Sequence, residues 1–294
     1  MTGATGFIGR NLLSRLAADG QRTAITAVTR GTPPESPASV SWIHADVGET
    51  AWTARLPDVA FDIVIHLAQS EHYRSFPARA PDIVNVNVNA TVALAEWASR
   101  HEVRQFVFAS TGSVYGSSDR IHREDDECRP DTMYAASKLA AELLLKPFAP
   151  IMDVLALRLF GVYGPGQANA ILPGVIERFD TGEEITLAGN AGVRFNPIFV
   201  DDCSALFHSI VTRPLKGFQL LNVCGAEVVD LRDVVTILEA ATGKKAHVRV
   251  TADAPILLVG CTDRLVEMCG QRATVSFNEG LARTYRYSHC ARTL

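Results

Sequence analysis

Short apolar runs alternate with amphipathic stretches through the first half of the chain. Runs at 23–28, 40–44, 61–67, 105–109 and 154–159 read as strands. Before them, Ile8, Leu12, Leu13 and Leu16 fall on one helical face, with Gly20 placed as a cap just past its end. Longer helical patterns cover 82–100 and 132–146, the second stopped by Pro147. Strand–helix alternation of this kind predicts a parallel sheet covered on both faces. Beyond Gly164-Pro165-Gly166 the pattern loosens. Helices are expected near 172–179, 203–212 and 231–241, and a strand near 185–187. The fold class expected is α/β: a doubly wound parallel sheet in residues 1–163, then a smaller mixed α/β domain in 164–294 with segments returning to the sheet.

Composition narrows the classes. The chain has 294 residues, 47% apolar and 20% charged, with a net charge of −4. That is enough chain to bury a core without staples, and there is no basic footprint for nucleic acid. No run approaches the roughly 18 apolar residues of a membrane helix, and no secretory signal opens the chain. The six cysteines (Cys128, Cys203, Cys224, Cys261, Cys269 and Cys290) never form C-x-x-C, so neither zinc nor a disulfide framework is expected. The expectation is a cytoplasmic protein with no metal, nucleic-acid or membrane partner. The charged run 120–127 reads as a solvated loop, and His66 as a packed strand-end residue.

Candidate chemistry begins at the first residues. Thr2-Gly3-Ala4-Thr5-Gly6-Phe7-Ile8-Gly9 is a glycine-rich turn opening a helix. Such a turn brings backbone N–H groups and a helix N-terminus up to a pyrophosphate. A strand is expected before Thr2, yet only Met1 stands there. A GTG valine codon read as a start would produce this arrangement, as would truncation, and the first strand is expected upstream. Further on, Tyr134 and Lys138 are four apart, on one helix face. A phenol with an ordinary pKa of about 10 becomes a base near neutrality only beside a cation.

These residues stand in a recognisable order. The glycine turn is followed by Phe108-Ala109-Ser110-Thr111-Gly112-Ser113-Val114-Tyr115-Gly116 and by Tyr134-Ala135-Ala136-Ser137-Lys138. Then come Arg158-Leu159-Phe160-Gly161-Val162-Tyr163-Gly164-Pro165 and Val200-Asp201-Asp202. The whole chain resembles the extended short-chain dehydrogenase/reductase superfamily, in particular its NAD-dependent epimerase/dehydratase family, with a Rossmann-type sheet. The resemblance implies Thr111, Tyr134 and Lys138 as catalytic residues. It implies cofactor contacts at Gly3, Gly6, Phe7, Ile8, Gly9, Arg30, Asp46, Val47, Leu67, Ala68, Asn87, Tyr134 and Lys138, and substrate contacts at Thr111 and Arg194. Dinucleotide enzymes using NAD usually carry an acid where this chain has Thr29-Arg30, so the cofactor is NAD or NADP, with Arg30 favouring NADP. Gly112-Ser113 stands where the 4,6-dehydratases carry Asp-Glu, which argues against water elimination.

The expected activity is epimerisation of a nucleotide-activated sugar by transient hydride transfer, with Tyr134 as acid and base. An NADP-dependent reductase of a keto substrate is the alternative. A non-catalytic dinucleotide-binding regulator is the alternative of another class. The resemblance also implies a possible homodimer, for which Leu94, Trp97, Leu143 and Leu144 are available.

Overall fold

The computed structural model describes residues 1–18, 23–168, 170–211, 213 and 216–290; the expected cap Gly20 lies outside them. In chain order the strands are β1 (Ile25–Thr29), β2 (Val40–His44), β3 (Ile63–His66), β4 (Gln105–Thr111), β5 (Asp153–Leu159) and β6 (Ile185–Ala188). They continue with β7 (Val193–Phe195), β8 (Phe218–Val223), β9 (Val229–Asp230), β10 (Val248–Thr251) and β11 (Ile256–Leu258). The helices are α1 (Phe7–Ala18), α2 (Ala80–Val84), α3 (Ala90–Arg100), α4 (Met133–Leu145) and α5 (Ile171–Thr181). After these come α6 (Val200–Val211), α7 (Leu231–Thr242), α8 (Asp263–Cys269) and α9 (Phe277–Cys290).

The chain forms two compact units. One comprises 1–116, 127–159 and 204–221; the other comprises 117–126, 160–203 and 222–294. The units interleave along the sequence instead of dividing at 163/164. Loop 117–126 belongs to the second unit, and 204–221 returns to the first.

In the first unit, β3, β4 and β5 pair in parallel, with Ile63 opposite Gln105 and Gln105 opposite Asp153. β8 completes the order β3-β4-β5-β8. All seven residues of β4 are buried, which is why that strand reads as a continuous apolar run and not as an alternation. β1 and β2 form a separate parallel pair. Met1 and Thr2 lie between the two sheets: Val28 N–H donates to Met1 O (2.9 Å), and Thr2 N–H donates to Ile65 O (3.0 Å). Thr2 makes a single parallel bridge with His66. The ladder at the place of the expected first strand is therefore two residues long in this chain, and an apolar cavity of about 40 Å³ adjoins it.

α3 turns Leu94, Ala95, Trp97 and Ala98 into the core with Phe106, Phe108, Val154 and Ala156. Full burial of a leucine or phenylalanine contributes about 1.5–3 kcal/mol, so Leu94 and Trp97 belong to the fold. Of the four residues expected to be available to a partner, only Leu143 and Leu144 are exposed. The helix expected over 82–100 is α2 and α3 joined by a wider π-helical turn, Asn85–Asn89. In the second unit, β11, β7 and β9 form one sheet, and β10 pairs with β6. The run 120–127 is not wholly solvated there. Glu124 is buried and its Oε1 accepts the Asn222 N–H (2.9 Å), while the His122 N–H donates to Val259 O (2.8 Å).

Candidate active site

The glycine turn is built by close approach. Gly3 has φ +67°, and a Cβ there would lie 2.6 Å from the Leu67 carbonyl carbon. A Cβ on Gly9 would lie 2.0 Å from Gly3 O. Only glycine permits either contact. His66 fixes the turn from behind: its Nδ1 lies 2.6 Å from Thr2 Oγ1 and its Nε2 lies 2.9 Å from Thr91 Oγ1. Burial, with Lys138 nearby, pushes the His66 pKa down to about 3. The ring is neutral and structural, a packed strand-end histidine.

In front of the turn is a cleft of about 350 Å³. Of the residues expected at the cofactor, Gly3, Gly6, Arg30 and Asp46 line it, as do Val47, Leu67 and Ala68. Phe7, Ile8 and Gly9 stand behind them, in the opening turn of α1. Asn87 lies deeper. It is fully buried, and its side chain accepts the Ser70 N–H (2.8 Å) and donates to Ser137 Oγ (2.9 Å). It ties the loop after β3 to α4 and does not line the cleft. Arg30 donates to Glu71 Oε2 at 3.0 Å. That hydrogen bond and the neighbouring carboxylates hold its pKa above the usual arginine value.

α4 is started by Thr132, whose hydroxyl accepts the Ala135 N–H at 3.1 Å. It then presents Tyr134, Lys138 and Glu142 at four-residue steps, and β4 ends at Thr111. The Tyr134 hydroxyl donates to Gln69 Oε1 (3.1 Å), and its ring lies 5.2 Å from that of Tyr73. Burial pushes the phenol up to about 12, with a hydrogen bond involving Thr111 acting the other way. Lys138 is 1% exposed. Its Nζ donates to Ala109 O (2.8 Å) and lies 4.6 Å from the centre of the Phe108 ring. Burial pulls it down to about 7, opposed by Glu142. Lys138 Nζ is directed at the backbone and ring of β4, and the phenol responds to burial, Thr111 and Tyr73.

Below this set, the Arg158 Nη2 donates to Glu142 Oε2 at 2.7 Å, and the Ser110 hydroxyl donates to Glu142 Oε1. Arg158 also donates to the Tyr115 hydroxyl (2.8 Å). Gln69 and Glu71, which line the cleft, and Glu142, which is buried against Ser110 and Arg158, were not singled out by the sequence reading. Glu142 carried a signal, since it continues the four-residue step of Tyr134 and Lys138. The two loop residues carried none. Arg194, expected at the substrate, belongs to the second unit, exposed on β7.

A family model of the NAD dependent epimerase/dehydratase family matches residues 1–224. The chain is 28% identical to the UDP-glucose 4-epimerase of Mycolicibacterium smegmatis, over 98% of this chain and 97% of the relative. It is 29% identical to a dTDP-glucose 4,6-dehydratase of Streptomyces griseus, over 98% and 93%. Among solved structures, MoeE5 in complex with UDP-glucuronic acid and NAD superposes with a TM-score of 0.87 at 29% identity, covering 100% of this chain and 98% of that one. With a glycine turn before a Rossmann-like parallel sheet and a Thr–Tyr–Lys set on β4 and α4, the chain belongs to the NAD-dependent epimerase/dehydratase family.

Proposed function

We propose that the protein is a cytoplasmic, NAD-dependent epimerase of a nucleotide-activated sugar, most simply a uridine diphosphate sugar. The observation that carries this reading is the placement of Thr111, Tyr134 and Lys138 in the same unit as the glycine-lined cleft. The cradle fits a dinucleotide. The backbone around Gly3 and Gly9 leaves no room for side chains, a Cβ on Gly6 would lie 3.3 Å from Gly3 O, and the N-terminus of the 12-residue α1 opens onto the cradle. Gly3 and Gly6 would hold the pyrophosphate, Asp46 and Val47 the adenosine end, and Lys138 the nicotinamide ribose. NAD supplies, when bound, the acceptor that takes and returns a hydride.

The chain's own residues handle the proton. Tyr134 Oη takes it from the sugar hydroxyl being oxidised and gives it back after the ring has turned, while Thr111 hydrogen-bonds the same oxygen. The Tyr134 hydroxyl donates to Gln69, and the phenol serves as base once that bond is exchanged for one to the sugar hydroxyl. Lys138, one helical turn on, would lend its positive charge to the phenolate. Gly112 and Ser113 supply no acid, which separates this site from water elimination. Arg194 would contact the substrate diphosphate. Two copies would pair through the α4 face that exposes Leu143 and Leu144.

Incubation with UDP-glucose, UDP-galactose, UDP-glucuronic acid and their GDP and dTDP counterparts tests the reading. Interconversion of one sugar pair is expected, with no steady change in NADH absorbance. Stoichiometric loss of NADPH, with a keto sugar reduced, would replace the epimerase with a reductase.

A further inference from the structure

The end of β1 is where dinucleotide folds place the acid that accepts the adenosine ribose 2′-hydroxyl. Here that position reads Thr29-Arg30, with no acid. An acid nevertheless stands there in space. Glu71, in the loop between β3 and α2, is 41 residues away in sequence, and its Oε2 accepts from Arg30 Nη2 at 3.0 Å. Both side chains line the same cleft as Gly3 and Gly6, and both are solvent-accessible, at 55% and 60%. We propose that Glu71 is the cofactor-selecting residue: it neutralises Arg30, offers a carboxylate to a ribose 2′-hydroxyl and repels a 2′-phosphate. The inference rests on the dinucleotide reading and deepens it.

The charges around the pair point the same way. Among the described residues lining the cleft, Arg30 is the only arginine or lysine. Asp46, Glu49 and Asp82 join Glu71 as carboxylates. Asp46 is engaged by the Gly48 N–H (2.8 Å), Glu49 by Arg55 (2.7 Å) and Asp82 by the Ser70 hydroxyl. His72 Nε2 stands 3.7 Å from Glu71 Oε1 and completes the set around the pair. A phosphate brings about −1.5 to −2 charges. It would enter a pocket whose one guanidinium is already paired and whose other charged walls are negative. A neutral hydroxyl needs only an acceptor, which Glu71 provides. Arg30 alone favours NADP; Arg30 held by Glu71 favours NAD.

The test is direct binding of NAD and NADP, by titration calorimetry, to the full chain and its Glu71→Gln, Arg30→Gln and doubly substituted forms. The unsubstituted protein is expected to bind NAD more tightly. Removing one negative charge a few ångströms from the phosphate in Glu71→Gln should raise NADP affinity about tenfold. NAD affinity in that variant should fall by no more than a few-fold. Adding Arg30→Gln to Glu71→Gln should abolish the gain for NADP. Tighter NADP binding by the unsubstituted protein, or an unchanged NADP/NAD ratio in Glu71→Gln while NAD still binds, overturns the proposal alone. Failure of the unsubstituted protein to bind either dinucleotide overturns the dinucleotide reading and the proposal with it.

Discussion

Glu142→Gln removes the anion from a buried ion pair and leaves the cation behind. Glu142 and Arg158 are 1% and 3% exposed. The guanidinium reaches the carboxylate through Nη2 (2.7 Å) and through Nε (3.1 Å), and stacks over the Tyr115 ring at 4.7 Å. Burial works against its charge, yet its pKa lies above the usual arginine value because the Glu142 hydrogen bonds outweigh that cost. A guanidinium is not deprotonated in a protein even without its partner, so Arg158 stays charged in the variant and loses its counter-ion. Breaking a buried pair from one side costs about 3–5 kcal/mol, against a usual total stability of about 5–15 kcal/mol. Replacing both partners with methionine removes the stranded charge and should cost clearly less than the single change. All three tryptophans, Trp42, Trp52 and Trp97, lie in the first unit, so urea unfolding followed by tryptophan fluorescence reports on the unit concerned. A loss below about 1 kcal/mol in Glu142→Gln, or a double variant at least as damaged as the single one, would refute this account of the pair.

Three further outcomes are expected. Tyr134→Phe should lower turnover by about 10²–10⁴, the range for a lost acid–base group, while calorimetry still shows dinucleotide binding; near-normal turnover would remove Tyr134 from the chemistry. Gly9→Ala places a methyl 2.0 Å from Gly3 O, so dinucleotide affinity should fall more than tenfold; unchanged affinity would mean that the turn moves freely. Lys138 carries a pH signature. Its pKa is about 7 in the fold against 10.5 ordinarily, so between those values the unfolded chain binds a proton that the fold does not. Its contribution therefore makes stability rise as pH goes from 7 toward 10, and Lys138→Met should lose that part of the rise, about 4 kcal/mol at most. Parallel pH dependences of the urea midpoint for the two proteins would contradict the burial argument.

What was legible in the sequence was what is local. Tyr134 and Lys138 declare themselves by a four-residue step, and the glycine turn by its spacing before the apolar face of Leu12, Leu13 and Leu16. The parallel sheet followed from alternation, because fully buried strands such as β4 are uninterrupted apolar runs. What was not legible depends on loops meeting across the fold. Arg30 alone reads as a phosphate ligand, and its meaning changes only when Glu71 arrives from another loop. Asn87 sits in a motif associated with the cofactor, yet its amide is taken up by Ser70 and Ser137. Tyr134 has a neighbouring cation in sequence, but burial and Ala109 direct that ammonium elsewhere. The place before Thr2 showed as a break in the pattern, and in space it is a two-residue ladder between β1 and β3.

The central claim is that the hydrogen removed from the sugar is the one returned. A UDP-sugar deuterated at the carbon whose hydroxyl inverts, incubated with the enzyme and NAD in ordinary water, tests it directly. The account predicts an inverted product that keeps its deuterium at that carbon, with no label lost to solvent and no net NADH. Inversion with deuterium exchanged for solvent hydrogen would mean proton abstraction at carbon and would contradict the account.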